Sequence, residues 1–152
     1  MSQKLSGVLP RPAGRKPLSK RMLLPVPRNR ANEISLTVHL AFSACRGDHG
    51  NAHLMSELVR AVYLSYYLLQ DDCDAELHGC YRQAERVLDQ VLEKAAYSNV
   101  WRIAEEGVAA LEEVIAIYDR QVMTVPTWKL LNASERLNRF ALGKGRSPIP
   151  EY

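Results

Sequence analysis

The chain has 152 residues, of which 47% are apolar and 24% charged, and its formal net charge is +3. That length suits one domain with its own core, and the composition is typical of a soluble globular protein. No apolar run approaches the roughly 20 residues needed to cross a bilayer, so we expect no membrane contact of that kind. Three cysteines are an odd number in a chain of this size, which favours reduced thiols and a cytoplasmic location.

The charges are unevenly divided along the chain. Residues 1–30 contain eight basic residues, five of the eight prolines and no acidic residue, whereas residues 31–126 contain seven basic and fifteen acidic residues. Residues 127–146 are basic again. Proline opposes regular structure, so we predict a flexible basic arm over 1–30, a helical domain over 31–143 and an extended tail over 144–152. Within the arm, residues 22–27 are apolar enough to dock against the domain or a partner.

Helical periodicity dominates the rest of the chain. Residues 32–45 fit both the alternation of a strand and the rows of a helix, and we predict a helix because no later segment offers a strand partner. A second helix begins at Asp48 or Asn51 and runs to about Asp71, with an apolar face wide enough for a central position. Asp74 is the expected N-cap of a third helix, which is strongly amphipathic.

A fourth helix is predicted to begin at Ser98 or Asn99 and to bury an apolar row that includes Val100 and Ala104. The Val125–Pro126 pair ends it, since proline suits a helix start rather than its interior. A fifth, shorter helix follows to Gly143, with Ala141 on its buried face. Short connections imply antiparallel neighbours, so the predicted fold class is all-α, an antiparallel bundle of four to five helices.

No pattern in the sequence indicates catalysis. Cys45, His49 and His53 have ligand-like spacing, but glycines interrupt them, and the later set of Cys73, His78 and Cys80 crosses a helix boundary. We therefore expect no metal site. An acidic cluster around residues 71–76 fits the first turn of a helix better than a magnesium site. Without a nucleophile motif or a phosphate-binding glycine loop, we expect a non-enzymatic protein that has no cofactor and no small-molecule substrate.

The basic segments are the best functional indication. Cations without neighbouring anions attract phosphate, so the expected nucleic-acid contacts come from the arm and the fifth helix, where a short turn at residues 124–127 also suggests a helix-turn-helix. These expected contacts are Arg11, Arg15, Lys16, Lys20, Arg21, Arg28, Arg30, Lys129, Arg136 and Arg139. The alternative is a protein–protein adaptor or inhibitor that uses the surface of the second to fourth helices, including contact with a second copy. The arm could equally lie across the acidic middle of the chain.

Three stretches carry a resemblance to a known family: residues 16–25 (KPLSKRMLLP), residues 32–41 (NEISL followed by HLA) and residues 147–151 (SPIPE). Together they resemble a family of short bacterial proteins, some of which carry the label of Fis-type regulators. The resemblance extends over most of the chain. It implies a bacterial cytoplasmic protein and favours helix over strand at 32–45, and it assigns no functional residue.

Overall fold

The computed structural model describes residues 16–69 and 73–151. This part of the chain contains no strand. It forms one 3₁₀ turn, Glu105–Gly107, and six α-helices: α1 (Lys20–Leu23), α2 (Arg28–Arg46), α3 (Ala52–Leu69), α4 (Ala75–Ser98), α5 (Val108–Thr124) and α6 (Thr127–Leu142). The all-α prediction is confirmed, and residues 32–45 are helical. The five long helices match the upper end of the predicted number.

Helix α3 is the central element, as its wide apolar face predicted. It packs on α2, α4, α5 and α6, and its buried side chains include Met55, Leu58 and Val62. Helices α2, α3 and α4 each pack against the next helix in the chain. Because short connections join them, successive helices run in opposite directions and enclose one core. Among the described residues, no helix has both the length and the apolarity that a bilayer crossing requires.

Two of the predicted helix starts are confirmed by their capping hydrogen bonds. The Leu54 amide donates to Asn51 Oδ1 over 2.9 Å, and the Leu77 amide donates to Asp74 Oδ1 over 2.8 Å. Each side chain satisfies one of the backbone donors that a helix start leaves without an internal partner. These caps are local, which is why the sequence was sufficient to locate them.

The predicted start of the fourth helix at Ser98 or Asn99 is wrong. These residues end α4: Asn99 adopts the left-handed conformation (φ 53°), and its amide donates to Ala95 O over 3.0 Å. Asparagine tolerates this conformation better than most residues, so it ends helices as well as beginning them. Helix α5 starts only at Val108, and the intervening Val100 and Ala104 are exposed, contrary to prediction.

Ile103 is the residue that this connection buries instead. It is 2% exposed, and its amide donates to the carbonyl of Cys45 at the end of α2 over 2.8 Å. The connection is thereby fixed to the α2–α3 turn, where the backbone of Trp101 lies against Gly50. A non-local hydrogen bond therefore decides which residue of the connection faces the core.

The predicted boundary of the arm at residue 30 also needs correction. Helix α2 already begins at Arg28, and the Ala31 amide donates to the carbonyl of Pro27 over 3.0 Å. Proline lacks only a donor that a helix start does not use, so Pro27 is compatible with this position. Residues 16–27 contain α1, which packs on α6, in keeping with the expected docking of residues 22–27.

The end of the chain is likewise more integrated than an extended tail. Ile149 is 1% exposed and belongs to the hydrophobic core, and Arg82 on α4 contacts Glu151 over 3.5 Å. The prolines on both sides of Ile149 restrict the backbone there, which reduces the entropy lost when this segment is held. On α6, the predicted core residue Ala141 is exposed, whereas Leu130, Ala133 and Leu137 are buried as expected.

Candidate nucleic-acid interface

Helix α1 is fixed to the start of α6 by a single carbonyl group. Leu24 O accepts a hydrogen bond from the Thr127 amide over 2.8 Å and another from Thr127 Oγ1 over 2.7 Å. Pro25 holds Leu24 in an extended conformation (φ −94°, ψ 154°), so its carbonyl lies outside any helix. The Thr127 amide is one of the donors that the start of α6 leaves without an internal partner. The Leu24 carbonyl and the two Thr127 donors thus satisfy each other's hydrogen-bonding capacity, although more than a hundred residues separate them in the sequence.

This joint brings the two basic segments of the chain together. Lys20 and Arg21 lie on α1, and Lys129 lies in the first turn of α6. Lys20 and Arg21 are exposed and have no salt-bridge partner within residues 16–69 and 73–151. The same holds for Lys16 and for Arg28 at the start of α2. We call Lys16, Lys20, Arg21, Arg28, Lys129 and Arg136 the basic surface.

The predicted cations of α6 are held by neighbouring side chains. The Arg136 guanidinium lies over the Tyr67 ring of α3 at 4.6 Å from its centroid, and Lys129 Nζ lies 5.8 Å from the Trp128 ring. Residues seven apart share one side of a helix, so Lys129 and Arg136 project from the same side of α6. Cation–π contacts orient these groups while leaving their charge unneutralised.

Arg139 and Arg30 differ from the other predicted contacts because each has a carboxylate partner. Arg139 pairs with Glu135 one turn earlier on α6, and Arg30 pairs with Glu33 over 3.0 Å on α2. Both pairs are largely exposed, so water screens them and they contribute little to stability. Arg11 and Arg15, which were also predicted to contact nucleic acid, lie outside the described residues.

The predicted helix-turn-helix is present only as two helices with a short link. Val125 and Pro126 separate α5 from α6, but α6 packs mainly on α3 and on α1. Its buried residues Leu130, Ala133 and Leu137 face this core, and Arg136 is directed to α3. The arrangement therefore differs from a recognition helix that projects away from its partner helix.

The residues first weighed as metal ligands are scattered. Cys45 is fully buried, whereas His49 and His53 are exposed, and the described residues contain no cluster of three or more groups that could hold a metal ion. All three cysteines are free. Burial raises the pKa of the Cys45 thiol, and burial together with the Glu113 carboxylate raises that of Cys80. Both thiols are thus held in the protonated, unreactive form.

One polar cluster was not predicted. Asp119 on α5 accepts a hydrogen bond from Ser35 Oγ over 2.6 Å, and its other oxygen lies 2.7 Å from His39 Nε2. Ser35 and His39 both contact the carboxylate and thereby join α2 to α5. In a nucleophilic site the histidine would lie between the serine and the carboxylate, so this order of contacts indicates a structural role.

The described residues thus form a small all-helical protein in which the cation-bearing helices α1 and α6 pack against each other. In comparisons with protein-family models, with curated protein sequences and with solved structures, no match was found. The resemblance to the Fis-type family therefore stays a prediction.

Proposed function

We propose that this chain is a small, non-enzymatic regulatory protein of the cytoplasm that binds the phosphate backbone of nucleic acid through its basic surface. The observation that carries the proposal is the Leu24–Thr127 joint, because it places α1 cations beside α6 cations. Cations without carboxylate partners attract phosphate and release its counterions. The binding is independent of base sequence, since contacts to phosphate carry no sequence information.

The distribution of acidic residues supports the same surface. Helices α4 and α5 and their connection carry most of the acidic residues, and these two helices pack against each other. Helices α1 and α6 pack against each other, and neither has an extensive contact with α4 or α5. Carboxylates would repel phosphate, so separating the two charges between helix pairs leaves the basic surface attractive over the range of a Debye length, about 8 Å in physiological salt.

The proposal predicts a salt-dependent affinity that changes with charge on α1. We expect Lys20→Glu/Arg21→Glu to weaken binding to a fluorescent 20-base-pair duplex by about tenfold or more. The steepness of the slope of log K against log salt concentration should fall by about two. Fluorescence anisotropy between roughly 50 and 200 mM salt measures both quantities. Substitution is preferable to deletion of residues 1–30, because that deletion would remove the start of α2.

The matched control is Arg86→Glu/Lys94→Glu on α4, which changes the net charge by the same amount. Neither residue has a salt-bridge partner within the described ranges, so their replacement breaks no visible contact. We expect this variant to bind nearly as well as the natural chain. Equal losses in the two variants, or an affinity that does not respond to salt, would contradict the proposed surface.

A second candidate function is contact with a protein, including another copy of this chain. Leu36 and Leu40 on α2 are 57% and 59% exposed and lie one turn apart, facing away from the core. If they form an interface between copies, Leu36→Gln/Leu40→Gln converts an oligomer into a monomer in light scattering, with unchanged helicity. If the natural chain is monomeric in the same measurement, contact between copies of the chain is excluded.

A further inference from the structure

Residues 147–151, which we call the tail segment, form an irregular stretch that touches both α3 and α4. At its start, the Ser147 side chain lies beside the Tyr63 hydroxyl of α3. At its end, the Glu151 carboxylate contacts the Arg82 guanidinium of α4 over 3.5 Å. Ile149, halfway between these two contacts, is 1% exposed and belongs to the core. The tail segment therefore inserts one apolar side chain into the core and has a polar contact on each side of it.

A buried carboxylate positions both of the groups that receive the tail segment. Glu85 on α4 is 4% exposed, accepts a hydrogen bond from the Tyr63 hydroxyl over 2.9 Å and pairs with Arg82 over 2.8 Å. Tyr63 and Arg82 are the same residues that Ser147 and Glu151 contact. A buried polar network whose members satisfy one another holds them in fixed positions. Because the contacts of Glu85 involve no tail residue, α3 and α4 alone preform the two receiving groups.

The tail segment is held by its side chains. Within the described ranges, no backbone–backbone hydrogen bond joins residues 147–151 to a helix. The Ile149 amide donates to Ser147 Oγ over 3.0 Å, which is a contact inside the tail segment itself. Residues 143–146, which connect it to α6, are all exposed and include two glycines. Segments with few buried contacts and few backbone hydrogen bonds open at the lowest cost. The tail segment can therefore leave its place while the backbone hydrogen bonds of every helix stay intact.

We propose that the tail segment occupies a peptide-binding site of its own chain, and that a partner protein displaces it with a segment of the same pattern. That pattern is an aliphatic residue between two prolines, followed by an acidic residue. The aliphatic side chain takes the core position of Ile149, where removal from water favours binding, and the acidic side chain pairs with Arg82. The prolines restrict the free peptide, so less conformational entropy is lost on binding. The site is independent of the proposed nucleic-acid function, because Tyr63, Arg82 and Glu85 are not part of the basic surface.

Fluorescence anisotropy of a labelled peptide with the sequence of residues 145–152 (GRSPIPEY) tests the proposal on the full-length chain. The natural chain should bind it weakly, because the tethered tail segment competes at a high effective concentration. Ile149→Asp should release the tail segment, since a carboxylate is unfavourable in the core. We expect this variant to bind the peptide about tenfold more tightly than the natural chain, or better. The same peptide with aspartate in place of isoleucine should bind neither chain.

Two further variants separate release of the tail segment from unspecific binding. Leu142→Asp is the matched control, because it places the same charge at a 90% exposed position near the same end of the chain, and it should bind the peptide as weakly as the natural chain. Glu151→Lys weakens the tail segment without touching the core, since it sets a cation against Arg82, and we expect about threefold tighter peptide binding. If Ile149→Asp loses its helices in circular dichroism, the Glu151→Lys result decides. Peptide binding that is equal in the natural chain and in the folded release variants overturns the proposal.

Discussion

Gly107 and Gly79 show how the same residue type has opposite importance in two places. A Cβ atom at Gly107 would lie 2.5 Å from Cγ1 and 2.9 Å from Cγ2 of Val87. Val87 is buried on α4 and β-branched, so it has little freedom to move aside. A Cβ atom at Gly79, in the same helix as Val87, would meet nothing within 4 Å. Close packing requires glycine at residue 107, and nothing in the structure requires it at residue 79.

Substitution by alanine should therefore have opposite effects at these two glycines. We expect Gly107→Ala to lower the free energy of unfolding by about 1–3 kcal/mol, because it forces the 3₁₀ turn away from α4. Gly79→Ala should raise it by up to about 1 kcal/mol, since alanine is the better helix former. Urea unfolding followed by circular dichroism measures both. A Gly107→Ala chain as stable as the natural one would contradict the close packing described here.

At the scale of elements, α1 illustrates how a very short helix is held. Four residues are too few for a stable isolated helix. Here, the Leu24 carbonyl binds Thr127, and Val26 packs against the core just before α2 begins. The basic surface depends on this docking, because Lys20 and Arg21 reach α6 only while α1 is in place.

Weakening the joint should release α1 without unfolding the bundle. Thr127→Val removes the hydrogen bond from Oγ1 to the Leu24 carbonyl. We expect the free energy that favours docking of α1 on α6 to fall by about 1 kcal/mol. Limited trypsin digestion should then cleave after Lys20 and Arg21 faster than in the natural chain. Thr124→Val is the matched control, because its hydroxyl bonds only within α5, to Arg120 O. If the two variants are cleaved at the same rate, the Thr127 hydroxyl does not hold α1.

At the scale of the whole molecule, the core combines apolar packing with buried polar contacts that link helices. Tyr81 on α4 donates to Ser65 Oγ over 2.7 Å, and Ser65 Oγ donates in turn to Gln121 Oε1 on α5 over 2.6 Å. The Gln121 amide returns a hydrogen bond to the Ser65 carbonyl over 3.1 Å. Three helices are thus joined by groups that satisfy one another, which fixes their relative positions at little desolvation cost.

The buried tyrosines also make the fold sensitive to alkali. Burial raises the pKa of both Tyr81 and Tyr118 to about 12, from an ordinary value of 10.0. The folded chain then binds more protons than the unfolded chain above pH 10, so stability is complete below that pH and falls between pH 10 and 12. The loss is on the order of 3 kcal/mol for each tyrosine.

A pH titration followed by circular dichroism and phenolate absorbance tests this expectation. The loss of helix and the ionisation of the buried tyrosines should occur together, since unfolding exposes the phenols. Tyr118→Phe should move the midpoint of unfolding to higher pH, because one ionisable group is removed from the core. Tyr97→Phe, at an 84% exposed position, should leave it unchanged. Ionisation of Tyr81 and Tyr118 well before the helices unfold would show that they are not buried.

Local sequence patterns were sufficient to locate the five long helices and most of their ends. Amphipathic periodicity, the caps Asn51 and Asp74 and the break at Pro126 act within a few residues, so they can be identified without knowledge of the fold. The segregation of charge is likewise a property of the sequence. The error at Asn99 shows the limit of this approach, since the same residue type begins and ends helices.

Which distant segments meet follows from the packing of the whole chain. The docking of α1 on α6, the burial of Ile103 and Ile149 and the stacking of Arg136 on Tyr67 all join residues that are far apart in the chain. Such contacts are selected by the free energy of the whole packed core and not by the propensity of any one segment. For this reason the sequence indicated that the chain has basic segments. That the basic residues of α1 lie next to those of α6 follows only from the packing of these two helices.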